Sequence, residues 1–248
     1  MMSKLYVFGC SYATGEELLA HELSINDYRL ATSNDPRKFF KKLETENLQE
    51  EYNIIKEKQK LIAWPQLLAD KLNLQCCNYA ESGNSLDKIV YQVFENNYKF
   101  TDNDIVIVSL TKATRNAIFD KIVESFQLPS LLWPYKGLLG VKDTGDIKPV
   151  INEQTDKALI DWFSDDRISW DFVKNLQVLE YYNINIVPAM NNNIISSMPV
   201  ILNLYEKSKS KFLTDKGLDF FCKERLAWGH PDKDAHINYA EHLYEILR

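Results

Sequence analysis

Ser11, Gly83, Thr111, Arg115 and His230 are the residues of this sequence whose types and positions allow chemistry. Ser11 follows the run Leu5-Tyr6-Val7-Phe8 and the pair Gly9-Cys10, so it stands where a buried strand turns toward a helix. A hydroxyl there can point into a cleft, with its own backbone N–H near a helix N-terminus that favours negative charge. Taken alone, the same serine reads as a helix N-cap. His230 precedes Pro231, which holds it in extended backbone on a loop, a suitable place for a general base. Gly83 lies in the polar turn Glu81-Ser82-Gly83-Asn84-Ser85; it is an ordinary turn glycine or a point of close backbone approach to a ligand. Thr111-Lys112-Ala113-Thr114-Arg115 sets two positive charges beyond another strand. Arg115 either solubilises a helix start or serves as a bidentate donor to a carboxylate, phosphate or sugar.

Strands are expected near residues 4–9, 74–79, 104–110 and 184–190. The β-branched run Ile105-Val106-Ile107-Val108 has the pattern of a parallel strand covered on both faces. Helical patterns begin at Thr14-Gly15-Glu16-Glu17 and at Trp64-Pro65, where proline near a helix start costs least. Others run from Ser85 through Val93, from Trp170 to Tyr182, and from Asp232 to Leu247. Alternating strands and helices predict an α/β fold, a mostly parallel sheet covered by helices in three layers. Ligands bind such sheets beyond the carboxyl ends of the strands, and Ser11, Gly83 and Thr111 each follow a predicted strand. The stretch 34–60, dense in charge with thin apolar stripes, reads as a helical surface insertion. Residues 128–166, rich in proline, glycine and aromatics, match no regular pattern. Trp133, Tyr135 and Trp162 there either pack under a long loop or line a sugar-binding face.

Four blocks in order resemble the SGNH (GDSL-type) hydrolases. Phe8-Gly9-Cys10-Ser11-Tyr12-Ala13-Thr14-Gly15 resembles the nucleophile block, in a Gly-Cys-Ser form. Trp64-Pro65 with Asn78-Tyr79-Ala80-Glu81-Ser82-Gly83-Asn84 resembles the run into the glycine block. Ser109-Leu110-Thr111 stands at the asparagine block, and Gly229-His230-Pro231 with His236 and Tyr239-Ala240 at the last block. The resemblance implies one SGNH-like domain over residues 1–248. It implies a serine esterase or acyl hydrolase, including a carbohydrate O-deacetylase or an acyltransferase, working through an acyl-enzyme on Ser11. His230 would be the base, with Gly83 and Thr111 among the oxyanion donors and a small-molecule or carbohydrate ester as substrate. Two departures count against catalysis. Thr111 replaces the asparagine, and Ala227 occupies the position of the triad acid, leaving Glu224, Asp232, Asp234 or a backbone carbonyl to orient His230, or else a dyad or a degraded site.

The alternative is a non-catalytic binding or interaction module that keeps the fold. A flavodoxin-like FMN binder is a third reading, because Ser11-Tyr12-Ala13-Thr14-Gly15 resembles a phosphate-cradling loop. The charged excursion and the Gly-His-Pro segment disfavour it, and no cofactor is expected. No metal is expected either: His236 and His242 are six apart and fall on different helix faces. The 248 residues carry a formal charge of −6 without a block of lysine and arginine, which argues against a general nucleic-acid binder. The four cysteines show no disulfide or metal spacing, and Cys10, Cys76 and Cys77, in apolar runs, read as small buried hydrophobes. No apolar run reaches membrane-spanning length, and the N-terminal segment reads as a strand rather than a signal peptide, so a cytoplasmic protein is expected. Oligomeric state is not legible.

Overall fold

The computed structural model describes residues 2–19, 22, 48–82, 84, 86–110, 174–181, 184–189, 212–226 and 229–248. Strands β1 (Lys4–Phe8), β2 (Gln75–Asn78), β3 (Ile105–Leu110) and β4 (Asn185–Pro188) form a parallel sheet in the order β2-β1-β3-β4. Val7 pairs with Asn78 on one side and Ile107 on the other, and Leu110 pairs with Pro188. Phe212 extends the far edge through a parallel bridge to Ile186. The chain steps from β1 to one side and returns to β3 on the other. The crevice beyond β1 and β3 is therefore the switch point at which open α/β sheets bind ligands.

The helices are α1 (Ser11–Thr14), α2 (Gln49–Lys60), α3 (Trp64–Leu72), α4 (Leu86–Asn96), α5 (helical residues 174–181) and α6 (Lys233–Leu247). Side chains alternate across a strand, and that alternation divides the core. Leu5, Val7 and Ile107 pack with Trp64 and Leu68 of α3 and Tyr239 and Leu243 of α6. Tyr6, Phe8, Val108 and Leu110 face the other way, onto Ile89 and Val93 of α4 and Leu176 and Leu179 of α5. Both faces are thus covered by helices, in three layers. Trp64 and Tyr239 are fully buried and meet edge to face at 5.3 Å, each such side chain contributing roughly 1.5–3 kcal/mol through burial.

Two local expectations change. The helix after β1 starts at Ser11 and stops at Thr14, because Gly15 turns left-handed at φ 71°. Gly15 is required there on two counts: its φ, and the lack of room for a Cβ, which would meet Leu18 Cδ1 at 2.8 Å and Ala63 Cβ at 2.9 Å. Cys76 and Cys77 are half-buried on edge strand β2 rather than enclosed, although Cys10 is buried as expected. Burial still pushes the Cys76 thiol up to about 12, so it stays protonated. Within the charged stretch, α2 turns Tyr52, Ile55 and Gln59 inward, and Tyr52 and Ile55 belong to neither core cluster. Residues 34–47 and the irregular middle with Trp133, Tyr135 and Trp162 lie outside the described residues. Among the described residues no helix is long and apolar enough to cross a membrane.

Candidate active site

Ser11 is the first residue of α1 and is buried, with 4% of its surface exposed. Cys10, not Ser11, holds the N-cap position, and no side-chain hydrogen bond caps the helix. The capping reading of Ser11 therefore fails. With only four residues, α1 offers a turn of backbone N–H groups and little macrodipole, since that effect grows from aligned peptide units.

Neighbouring elements fix this turn from several sides. Asn78, at the end of β2, donates through Nδ2 to the Ala13 carbonyl at 2.9 Å. The Gly9 carbonyl accepts from Glu81 N–H at 3.2 Å and from Asn84 Nδ2 at 3.0 Å. Asn84 is fully buried and also donates to Gln92 Oε1 of α4. The loop after β2 is thereby tied, on both sides of Gly83, to the residues just before Ser11. Gly83, Thr111 and Arg115 themselves lie outside the described residues, as does Ala227.

His230 comes to the same turn from the far end of the chain. Its ring meets the Tyr12 ring edge-on at 5.6 Å, and its side chain is 17% exposed. Gly229, at φ 86°, makes the bend before it and accepts from Arg225 Nη1 at 2.7 Å. The same Arg225 nitrogen donates to the Tyr12 hydroxyl at 3.3 Å, and Nη2 stands 3.7 Å from Asp219. Burial raises the Tyr12 phenol above its ordinary value, the Arg225 contact offsetting part of that, so Tyr12 is a neutral wall beside His230.

The Nδ1 of His230 lies 2.8 Å from Glu17 Oε2, and the His230 backbone N–H donates to that same oxygen at 3.3 Å. A carboxylate oxygen accepts, so Nδ1 carries the hydrogen. The Glu17 side chain is fully buried, and its backbone is left-handed at φ 73°. In the sequence this residue reads as part of a helical pattern. Of the acids considered for His230, Asp232 caps α6 through Ala235 N–H at 2.8 Å and accepts from Glu224 N–H, and the Glu224 and Asp234 side chains are exposed. Tyr12, Asn84 and Arg225 were likewise not singled out. Asn84 alone had a signal, as a polar residue in a turn beside a candidate glycine.

The other tail histidines have structural partners. His236 Nδ1 accepts from Trp64 N–H at 3.1 Å, and His242 Nε2 pairs with the Thr214 hydroxyl at 2.8 Å. Among the described residues no group of three or more metal-ligating side chains gathers.

The chain is similar to two solved structures. One is a protein assigned to the G-D-S-L lipolytic family from Desulfitobacterium hafniense DCB-2, at 10% identity and a TM-score of 0.45, covering 99% of both chains. Another is a carbohydrate esterase whose active site displays divergent catalytic and non-catalytic binding functions, at 13% identity and a TM-score of 0.46. The likeness covers 99% of this chain and 64% of that one. It runs the length of this chain. No family model and no curated protein matches the sequence.

Proposed function

We propose that this chain is a serine hydrolase of the SGNH type, acting on esters of small molecules or carbohydrates. Ser11 is the nucleophile and His230 the general base. The observation that carries the reading is the contact of the His230 ring with Tyr12, the residue next to Ser11, at 5.6 Å. That contact supports a reading in which a nucleophile and a base from opposite ends of the sequence meet at the switch point of the sheet.

The steps follow from these two side chains. The Ser11 hydroxyl adds to the ester carbonyl as its proton passes to His230 Nε2. The tetrahedral intermediate collapses, the C–O bond to the alcohol breaks, and His230 returns the proton to the departing alkoxide. Water, deprotonated by His230, then cleaves the acyl-serine; an alcohol in place of water would make the reaction an acyl transfer. Ser11 N–H, Gly83 N–H and the Thr111 hydroxyl are the proposed oxyanion donors, and Arg115 the proposed contact for an anionic or sugar substituent.

Labelling with a fluorophosphonate probe and locating the adduct by mass spectrometry tests this directly. An adduct on Ser11 that is lost in His230→Ala is the expected result. An unlabelled Ser11, with turnover of acetyl esters and acetylated sugars no faster than in Ser11→Ala, would favour the binding-module reading.

A further inference from the structure

We infer that Glu17 is the positioning acid of this site, supplied by the nucleophile's own turn in place of a carboxylate three residues before the histidine. The inference rests on the proposed roles of Ser11 and His230 and adds to them the group that fixes the imidazole.

The geometry is that of an orienting carboxylate. Glu17 Oε2 takes both the ring Nδ1–H and the backbone N–H of His230, so it sets the tautomer and the position of the histidine together. With Nδ1 protonated, the lone pair is on Nε2, where a base for Ser11 needs it. The second partner matters: a ring contact alone would leave the loop free to slide, whereas the backbone N–H anchors residue 230 itself.

Glu17 is kept in this place at a cost. A non-glycine residue at φ 73° is strained, and such strain persists where surrounding structure over-determines it. The surroundings are visible. Gly15 makes the preceding left-handed turn. Leu19 N–H donates to Gln59 Oε1 of α2 at 3.1 Å, and Tyr52 of α2 donates to Glu16 Oε1 at 2.8 Å. Helix α2, charged and superficial in sequence, grips the turn before and after Glu17. Its buried face, Tyr52, Ile55 and Gln59, is the brace that holds the acid against His230.

The test uses the full chain, with 4-nitrophenyl acetate as substrate and the fluorophosphonate as a second probe. Glu17→Gln keeps size and hydrogen-bonding capacity but removes the charge. It is expected to lower kcat on the order of 10³–10⁴-fold, as loss of an orienting carboxylate does in serine hydrolases, with KM nearly unchanged. Glu17→Asp should recover part of that loss, and Tyr52→Phe should lower kcat far less. In nitrogen-15 NMR of the wild-type chain, His230 should carry its proton on Nδ1 with a low-field proton resonance, and Glu17→Gln should abolish that resonance. Wild-type kcat in both Glu17 variants would overturn the inference, as would an Nε2-protonated His230 in the wild type. An Nδ1-protonated His230 in a protein that is inert to esters and unlabelled at Ser11 would uphold the orienting contact while removing the hydrolase reading. The two failures are therefore distinct. If Glu17→Gln does not fold, the Asp variant and the wild-type tautomer still decide.

Discussion

The backbone N–H of Trp64 donates to Nδ1 of His236 at 3.1 Å, joining the first turn of α3 to α6 across 172 residues. First-turn N–H groups have no partner within their own helix, and here a side chain from another element supplies one. The histidine must be neutral to accept.

Burial, with a smaller contribution from His230, lowers the His236 pKa to about 3. The folded value lies below the unfolded value near 6.5, so protons bind the unfolded chain more readily. The stabilisation is present above about pH 6.5 and is lost progressively as pH falls toward 3. Thermal melts from pH 7 to pH 4 should show Tm falling with acidity. His236→Asn keeps an acceptor but cannot titrate, so its Tm should start lower and fall less steeply; parallel curves would contradict this account.

Ser11→Ala and His230→Ala should each reduce ester hydrolysis to near background while leaving the far-ultraviolet circular dichroism unchanged. Residues that act as a unit are non-additive, so the double variant should lose little beyond either single one. Multiplicative losses would mean that the two side chains work independently.

Gly15→Ala should destabilise the protein by about 2–5 kcal/mol, combining left-handed strain with overpacking against Leu18, Ala63 and the Gln59 carbonyl. Gly229 also has a positive φ, but a Cβ there meets nothing within 4 Å. Gly229→Ala should therefore cost only about 1–2 kcal/mol. Urea denaturation of the two variants side by side checks the difference.

Tyr52→Phe removes the donor to Glu16 Oε1, and Glu16 Oε2 is buried without a hydrogen-bond partner among the described residues. Burial and the Glu16 and Glu17 carboxylates push the Tyr52 phenol far up, so it donates at every accessible pH. The loss should be about 1.5–3 kcal/mol, as expected for a bond to a charged group. A stability equal to wild type would show that Glu16 finds another donor.

Much of the scaffold was legible in the sequence because the forces that set it are local. The run Ile105-Val106-Ile107-Val108 has the pattern of a doubly covered strand, and Trp64-Pro65 that of a helix start; both lie where expected, as do β1, β2, β4 and α6. The placement of Ser11 at the end of β1 followed from the same pattern. The extent of α1 did not, because a left-handed Gly15 and Glu17 are dictated by contacts with α2 and His230 rather than by helix propensity. The acid on His230 was beyond any local reading. Spacing pointed to position 227, and the nearby acids Glu224, Asp232 and Asp234 were the natural substitutes. The contact instead spans 213 residues, between the turn after the first strand and the loop before the last helix. A parallel sheet brings those two loops to one end, and only that juxtaposition decides which buried carboxylate the imidazole meets.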